Sequence, residues 1–193
     1  MIWMAFCERV NFIFQKNKKK YLFYKLDVGK DMEYVSPQDI RSKYLYYLWK
    51  PRSIFSKPPG LPIFPFLIWS IIFFKKSLFS NNGYKVYLIL SNNKCINYCV
   101  ILPFHFKFPF MGSNDFQIGP VWTHPNYKGK GLAKFSVRRI IELYSKEKPA
   151  SFWYITRAEN LASIRLAESL GFEKVGEGER LSPFGIYKIR QFY

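Results

Sequence analysis

Runs of apolar residues with strand character fill the middle of the chain. They are rich in aromatic and β-branched residues, they are bounded by turn-forming Asn, Ser and Gly, and they cover 84–90, 95–106 and 116–123. Short apolar runs divided in this way are typical of neighbouring strands. The pattern therefore predicts an antiparallel meander of three strands.

The period of the apolar positions changes after residue 130. Apolar residues recur at helical spacing over 133–144 and 163–170, and Gly171 is a typical helix stop. Further strand-like runs cover 151–156, 172–178 and 184–192. This order of elements predicts an α/β (α+β) fold with a mixed, mostly antiparallel central sheet flanked by helices.

The N-terminal half contains one more strand and one more helix by the same criteria. Aromatic and aliphatic residues over 21–26 predict a strand. Ser36 before Pro37 is a helix start, with serine as the N-cap and proline in the first turn. We expect that helix to reach Trp49, shortly before Pro51.

Residues 1–20 precede these elements as a basic amphipathic extension. The stretch is apolar first and lysine-rich afterwards, whereas a secretory signal carries its charge first. We therefore expect a retained N-terminal extension, followed by a single domain over 21–193.

The segment over 61–74 is apolar except for Ser70 and contains two prolines. Fourteen residues are too few to span about 30 Å of hydrocarbon comfortably. Two interpretations remain open, a buried core helix or a segment that lies in a bilayer interface with Lys75 and Lys76 facing lipid phosphates.

The charge of the chain changes the range of partners to consider. Thirty basic and thirteen acidic residues leave a net charge of +17, and no carboxylate occurs between Asp39 and Asp115. Such an excess favours an anionic partner, which could be a phosphate-rich ligand, a nucleic acid or an anionic membrane surface.

The three cysteines are odd in number and lack the spacing of metal ligands. We therefore expect no disulfide framework, no metal site and a reducing cytoplasmic location. Cys95 and Cys99 are expected on one face of a strand as small buried apolar residues.

A glycine-lysine turn is the candidate for chemistry. Lys128-Gly129-Lys130-Gly131 follows a predicted strand and precedes a predicted helix. Free N–H groups and the positive end of the helix dipole meet at such a point and attract phosphate, while glycine lets the backbone approach closely. The spacing is neither that of a Walker loop nor that of a dinucleotide fingerprint.

The turn resembles the acyl-CoA turn of the GNAT acyltransferase superfamily. Lys128-Gly129-Lys130-Gly131-Leu132-Ala133 occupies the place of the family pattern Gln/Arg-x-x-Gly-x-Gly/Ala, with lysine where glutamine or arginine is usual, and Thr123-His124-Pro125 stands for the Val-x-Pro strand end before it. About 30 residues later, Asn160-Leu161-Ala162-Ser163 before Leu170-Gly171-Phe172 is similar to the family's Asn-x-x-Ala/Ser helix. The resemblance covers roughly 84–193.

The resemblance implies acetyl-CoA, or another acyl-CoA, as the donor. Its pyrophosphate would bind Lys128 and the turn N–H groups of Gly129, Lys130, Gly131, Leu132 and Ala133. Its pantetheine arm would pair with the main chain of Val121, Trp122 and Thr123, and Asn160 and Ser163 would complete the cofactor site. The Val121 N–H would stabilise the oxyanion, because Pro120 has no N–H.

The residues that would remove the amine proton and protonate the leaving sulfur are indicated less clearly than the cofactor-binding residues. Family members often keep a carboxylate near the start of the corresponding strand, so Asp115 is the first candidate for the base and His105 the second. Many members place a tyrosine acid where this chain has Ala167. Tyr154 and Tyr187 are the possible replacements, although both also fit as core aromatic residues.

The acceptor follows from charge and aromatic content together. A carboxylate-free, aromatic region suits an anionic substrate with flat faces, so we expect an amino group of a sugar, a nucleotide sugar or a lipid-linked saccharide, as in polysaccharide biosynthesis. The alternatives are O-acylation, a nucleic-acid-binding protein and a non-catalytic peripheral membrane module. Nucleic acid is the least favoured of these partners. A peripheral location on the inner face of the membrane remains open. The oligomeric state, including a homodimer, also remains open.

Overall fold

A single eight-stranded sheet organises the chain. The computed structural model describes residues 19–29, 44–74, 79, 83–146, 150–182 and 185–193. The strands are β1 (Tyr21–Val28), β2 (Leu45–Trp49), β3 (Lys85–Ser91), β4 (Lys94–Pro103), β5 (Phe116–Thr123), β6 (Ala150–Arg157), β7 (Glu173–Leu181) and β8 (Ile186–Phe192). Their spatial order is β2-β3-β4-β5-β6-β1-β7-β8.

All neighbouring strands in the sheet are antiparallel except β5 and β6. The parallel pairing of β5 with β6 covers only Phe116–Ile118 against Phe152–Tyr154. Beyond these three pairs the two strands separate, which opens the sheet at the C-terminal end of β5. The predicted meander and the predicted mixed sheet are both confirmed.

Three described helices pack on the sheet: α1 (Phe64–Phe74), α2 (Leu132–Ser145) and α3 (Leu161–Glu168). One face of the sheet packs against α2 and α3 and holds the largest apolar cluster, which includes Tyr87, Ile89 and Ile140. The opposite face holds a second cluster with Val86, Leu88 and the α1 residue Phe66. The change of face between neighbouring β3 residues is the period of two expected for a strand.

The predicted helix from Ser36 to Trp49 is wrong over its last turn. Leu45–Trp49 is the edge strand β2, which pairs with Val86–Leu90 of β3. Tyr46 and Leu48 pack against the apolar cluster on one face of the sheet and Trp49 belongs to the cluster on the other, so tertiary pairing overrides the local helix signal. Ser36 and Pro37 lie outside the described residues, as do residues 1–18 of the extension.

Cys95 and Cys99 are both buried, as expected, but they lie on opposite faces of the sheet. Cys95 belongs to the cluster under α1 and Cys99 to the cluster under α2. The cause is a β-bulge, because Ile89 pairs with Asn97 whereas Leu90 pairs with Cys95, so that Ile96 is an extra residue. One extra residue reverses the orientation of every later side chain.

The apolar segment over 61–74 forms α1, and it is only half buried. Phe66, Ser70 and Ile72 face the sheet, whereas Phe64 and Ile68 are 80% and 63% exposed. The segment therefore enters the core on one side and presents apolar side chains on the other. Among the described helices, none has the length and apolar content needed to cross a bilayer.

Candidate functional site

A cleft of about 830 Å³ opens where β5 and β6 separate. Its walls are the end of β5, the turn before α2, the first residues of α2 and one side of α3. The residues that line it are Val121, Trp122, Thr123, Pro125, Tyr127, Lys128, Gly129, Gly131, Leu132, Ala133, Lys134, Tyr154, Asn160, Ala162, Ser163, Arg165, Leu166 and Ser169. Most of the predicted cofactor-binding residues are therefore brought together.

Two glycines in the left-handed region, Gly129 and Gly131, shape the turn that forms one wall of this cleft. Gly129 has φ of +76° and Gly131 has φ of +75°, a region that strains residues with a side chain. The first main-chain bond of α2 runs from the Phe135 N–H to the Gly131 carbonyl. Within the described residues, Leu132, Ala133 and Lys134 donate to no carbonyl, so their N–H groups form a cradle for an anion.

The cations around the cradle differ in part from the predicted ones. Lys128, Lys134 and Arg165 line the cleft, and no carboxylate occurs among the lining residues that the structure describes. Lys130 is not among the lining residues, and its Nζ lies 4.8 Å from the centre of the Tyr127 ring. Three cations around a helix N-terminus create a strongly positive site.

The main-chain N–H groups of Val121 and Thr123, at the end of β5, are not used in the ladder with β4. The His124 N–H donates to the Ile96 carbonyl at 2.8 Å, and Trp122 pairs with Tyr98 two residues before it. Bonded and non-bonded pairs alternate along an antiparallel ladder, so the N–H groups of Val121 and Thr123 point away from β4. They face the gap where β6 has already separated.

A β-bulge stands directly before these two residues. Val121 pairs with Cys99 and Ile118 pairs with Ile101, so Gly119 and Pro120 together oppose a single residue of β4. The peptide bond between Gly119 and Pro120 is cis. The bulge ends the regular pairing of β5 at the point where the cleft begins.

A buried polar network fixes the end of β5 against α2. The Asn97 side chain donates to the Trp122 carbonyl at 2.8 Å and to Thr123 Oγ1 at 2.9 Å. The Ser136 hydroxyl donates to Asn97 Oδ1. Because Asn97 and Ser136 are fully buried, the network holds the strand and the helix that form two walls of the cleft. Neither residue was among the predicted site residues.

Asn160 and Ser163 form the α3 wall of the cleft with Tyr154. Asn160 Oδ1 accepts from the Ser163 N–H at 3.2 Å and thereby caps α3. The Tyr154 ring reaches the cleft from β6, and burial raises the pKa of its hydroxyl to about 12 against an opposing hydrogen bond with the Ser163 side chain. Ala167 is fully buried behind this wall and has no group that can donate a proton.

A family model described as the acetyltransferase (GNAT) family matches residues 43–172. That range is most of the chain, and it contains the cleft, α2 and α3. The chain belongs to the GNAT family. Enzymes of this family use acetyl-CoA or another acyl-CoA as the acyl donor.

Known proteins similar to this GNAT chain support the fold over most of its length. A GCN5-related N-acetyltransferase from Sphaerobacter thermophilus superposes with a TM-score of 0.52 at 9% identity, covering 89% of this chain and 54% of that one. The X-ray structure of a Drosophila protein gives a TM-score of 0.53 at 13% identity, covering 90% of this chain and 55% of that one. The expected GNAT fold is confirmed, and this chain spans about half the length of these structures.

One curated relative is similar in sequence over a shorter stretch. N-acetylaspartate synthetase of Danio rerio is 35% identical over 66 residues, which are 34% of this chain and 23% of that protein. The match therefore covers about a quarter of the relative.

The structure does not bring Asp115 to the cleft of this GNAT domain. Asp115 Oδ2 accepts from the Trp153 Nε1–H at 2.7 Å and from the Gly112 N–H at 2.9 Å, so it ties a loop to β6. It precedes β5, whereas the part of β5 that lines the cleft begins at Val121, beyond the bulge. The geometry gives no support to a role as the base.

His105 lies on the sheet face opposite the cleft, in a cage of aromatic rings. The ring centres of Trp69, Phe79 and Phe108 lie 5.2, 5.3 and 4.7 Å from its own. His105 Nδ1 is 2.9 Å from the Pro103 carbonyl, so it carries the proton, and Nε2 has no partner in the described structure. Burial lowers the pKa of His105 to about 4, which makes it a neutral core residue rather than a base in the cleft.

We expect His105 to make the fold sensitive to acid. Its pKa falls from 6.5 in the unfolded chain to about 4 in the folded one, so the unfolded state binds more protons between these values. Stability should be lost as the pH falls from 6.5 to 4, by about 3 kcal/mol from this group. Urea unfolding measured at both pH values should show that His105→Phe loses about 3 kcal/mol less unfolding free energy than the native chain between pH 6.5 and pH 4.

His124→Gln is the matched control, because it removes the other histidine, which lies outside the cage. An equal loss of stability in His105→Phe and the native chain would show that His105 does not cause the acid sensitivity.

Two cations of the cleft, Lys134 and Arg165, were not among the predicted site residues, although one of them left a signal in the sequence. Lys134 stands in the first turn of α2, where a cation opposes the helix dipole and acidic residues are usual. A lysine at this position favours an anion site at the start of α2. Arg165 left no comparable signal, because a cation late in a short helix is ordinary, and only the packing of α3 beside α2 brings it to the cleft.

Proposed function

We propose that this chain transfers an acetyl group from acetyl-CoA to the amino group of a small anionic acceptor. The observation that supports acetyl-CoA as the acyl donor is that the cleft combines unbonded N–H groups at the α2 N-terminus with Lys128, Lys134 and Arg165. That set suits a diphosphate. The inward N–H groups of Val121 and Thr123 suit the amide-rich arm that follows it.

Bound acetyl-CoA would supply an acetyl thioester that an amine can attack directly. The Val121 N–H, directed into the cleft beside the bulge, would donate a hydrogen bond to the carbonyl oxygen as negative charge develops there. The lining of the cleft, as far as the structure describes it, contains no aspartate, glutamate or histidine. We therefore assign removal of the amine proton to water.

Tyr154 would protonate the departing sulfur in this account. Tyr154 lines the cleft, and its hydroxyl stays protonated, because burial raises its pKa to about 12. Tyr187 is excluded from this role, since it packs against Phe108 with ring centres 5.2 Å apart in a cluster on the other sheet face. Tyr154 thus supplies from β6 what the buried Ala167 lacks on α3.

Tyr154→Phe should lower kcat roughly 10- to 100-fold, somewhat less than a typical general acid contributes, because a thiol of pKa about 8.5 also leaves as thiolate. KM for acetyl-CoA should stay unchanged, since the ring remains. Steady-state kinetics with free-thiol detection measures both. Tyr187→Phe is the matched control, and an equal kcat for Tyr154→Phe and the native chain would refute the role of Tyr154.

We propose an amino sugar on a nucleotide or lipid carrier as the acceptor. The carboxylate-free region over 40–114 attracts phosphate. Trp122 is partly exposed at the cleft and stacks on Tyr98 with ring centres 5.6 Å apart, which offers a flat surface to a sugar or a base. A second candidate is an acidic amino acid, which the similarity to N-acetylaspartate synthetase favours.

The test is a panel of amines with acetyl-CoA, followed by thiol release. Nucleotide-activated amino sugars should react, and Trp122→Ala should raise KM for them more than for aspartate. Reaction of aspartate alone would select the second candidate. Reaction of neither class, with acetyl-CoA binding intact, would contradict the anionic acceptor.

A further inference from the structure

The outward side of α1 is apolar along its whole length. Phe64, Ile68 and Phe74 are exposed, and Leu67 and Ile71 between them are half-buried. Positions i, i+4 and i+7 share one side of a helix, so the five side chains form one surface, called here the α1 face. Phe55, in the loop that precedes the helix, is 76% exposed as well.

The helix is apolar on both sides, which is unusual in a water-exposed position. Phe66, Ser70 and Ile72 already bury the inner side in the second core cluster. A surface helix normally carries polar residues on its outer side, and a contiguous exposed apolar patch marks an interaction site. The α1 face therefore needs a partner that accepts apolar side chains.

A cation lies beside α1, and the sequence on both sides of the helix, over 40–114, contains no carboxylate. Lys107 is held beside the helix, with its Nζ 4.9 Å from the Trp69 ring. Exposed apolar side chains with a cation beside them, on a chain of net charge +17, match the interface of an anionic bilayer, where acyl chains lie beneath phosphate and carboxylate groups.

We propose that the α1 face docks the protein onto an anionic lipid bilayer. A second copy of the chain fits less well, because two chains with a net charge of +17 each would repel each other. The proposal does not depend on the identity of the acceptor.

The dimensions and position of α1 agree with docking in the membrane plane. Its eleven residues measure about 16 Å, roughly half of the hydrocarbon thickness, so the helix would lie flat rather than cross. It covers the sheet face opposite to α2 and α3. A docked protein would therefore keep the acetyl-CoA cleft open to water.

Flotation of the full chain with vesicles tests the proposal. Vesicles of phosphatidylcholine with phosphatidylserine should bind the protein, pure phosphatidylcholine should bind it less, and salt should weaken the binding. Phe64→Ser and Ile68→Ser should each lower the partition coefficient about tenfold, the factor for withholding one large apolar side chain from the bilayer. Every variant keeps residues 1–20, so any contribution of this extension to vesicle binding is the same in the variants and in the native chain.

Phe192→Ser is the matched control, since Phe192 is 66% exposed and lies in β8, outside the α1 face. It should float like the native protein, and all variants should keep native melting temperatures and acetyl-CoA binding. Native flotation of Phe64→Ser and Ile68→Ser together would overturn the proposal. So would concentration-dependent self-association that Phe64→Ser abolishes, because the occupant would then be a second copy.

Discussion

Reversing the charge of both Lys128 and Lys134 should weaken acetyl-CoA binding roughly 100-fold, since each substitution removes a charge-assisted contact worth about 1.5 kcal/mol. Both lysines line the cleft beside the N–H cradle of α2, where the donor's diphosphate would lie. The double variant Lys128→Glu, Lys134→Glu also introduces two carboxylates that repel the ligand. Calorimetric titration with acetyl-CoA measures the change.

The matched control is Lys94→Glu with Lys188→Glu. This pair makes the same change in net charge at two exposed positions outside the cleft. It separates a local effect from the general field of a basic protein. Equal weakening by both double variants would mean that the lysines at the turn do not contact the donor.

The largest effect on turnover is expected from Val121→Pro. Proline removes the N–H that we assign to the developing oxyanion, and the loss of one such donor typically lowers kcat 100- to 1000-fold. No ladder bond to β4 should be lost, because Val121 and Cys99 form a non-hydrogen-bonded pair. Single-turnover rates with saturating acetyl-CoA would isolate the chemical step.

Thr123→Pro offers the comparison within the same strand. Its N–H also points into the cleft, but it lies two residues further from the bulge. We expect weaker acetyl-CoA binding with a smaller change in the single-turnover rate. If both proline variants fold and turn over at similar rates, the Val121 N–H is not the oxyanion donor.

Local patterns were sufficient to predict most elements after residue 84. The apolar periods gave β3 to β5, α2 and α3 within a few residues, because each segment has a face that must be buried. The turn at Gly129 and Gly131 was predicted for a similar reason, since a strand, two glycines and a helix start together specify free N–H groups.

Features that depend on distant packing could not be predicted. β1 lies between β6 and β7, and nothing within Tyr21–Val28 encodes those neighbours. The face of Cys95 depends on a bulge at Ile96 that the alternation of the strand does not reveal.

The two candidates for the base illustrate the same limit. Asp115 was chosen because family members often keep a carboxylate near the start of this strand, and His105 because it lies on the strand before it and has a near-neutral intrinsic pKa. Their surroundings depend on how the loop after β4 folds back over the sheet, where the carboxylate holds Trp153 and the imidazole lies among aromatic rings. The outer side of α1 was similarly undecidable, since a helix that is apolar all round looks buried from its sequence.

An amide-resolved NMR titration with coenzyme A tests the central claim most directly. The account predicts that the largest shifts occur at the N–H groups of 129–134, Val121 and Thr123, with little change at the α1 face. Saturable shifts elsewhere, with those amides unmoved, would contradict a donor held between the α2 N-terminus and the open end of β5.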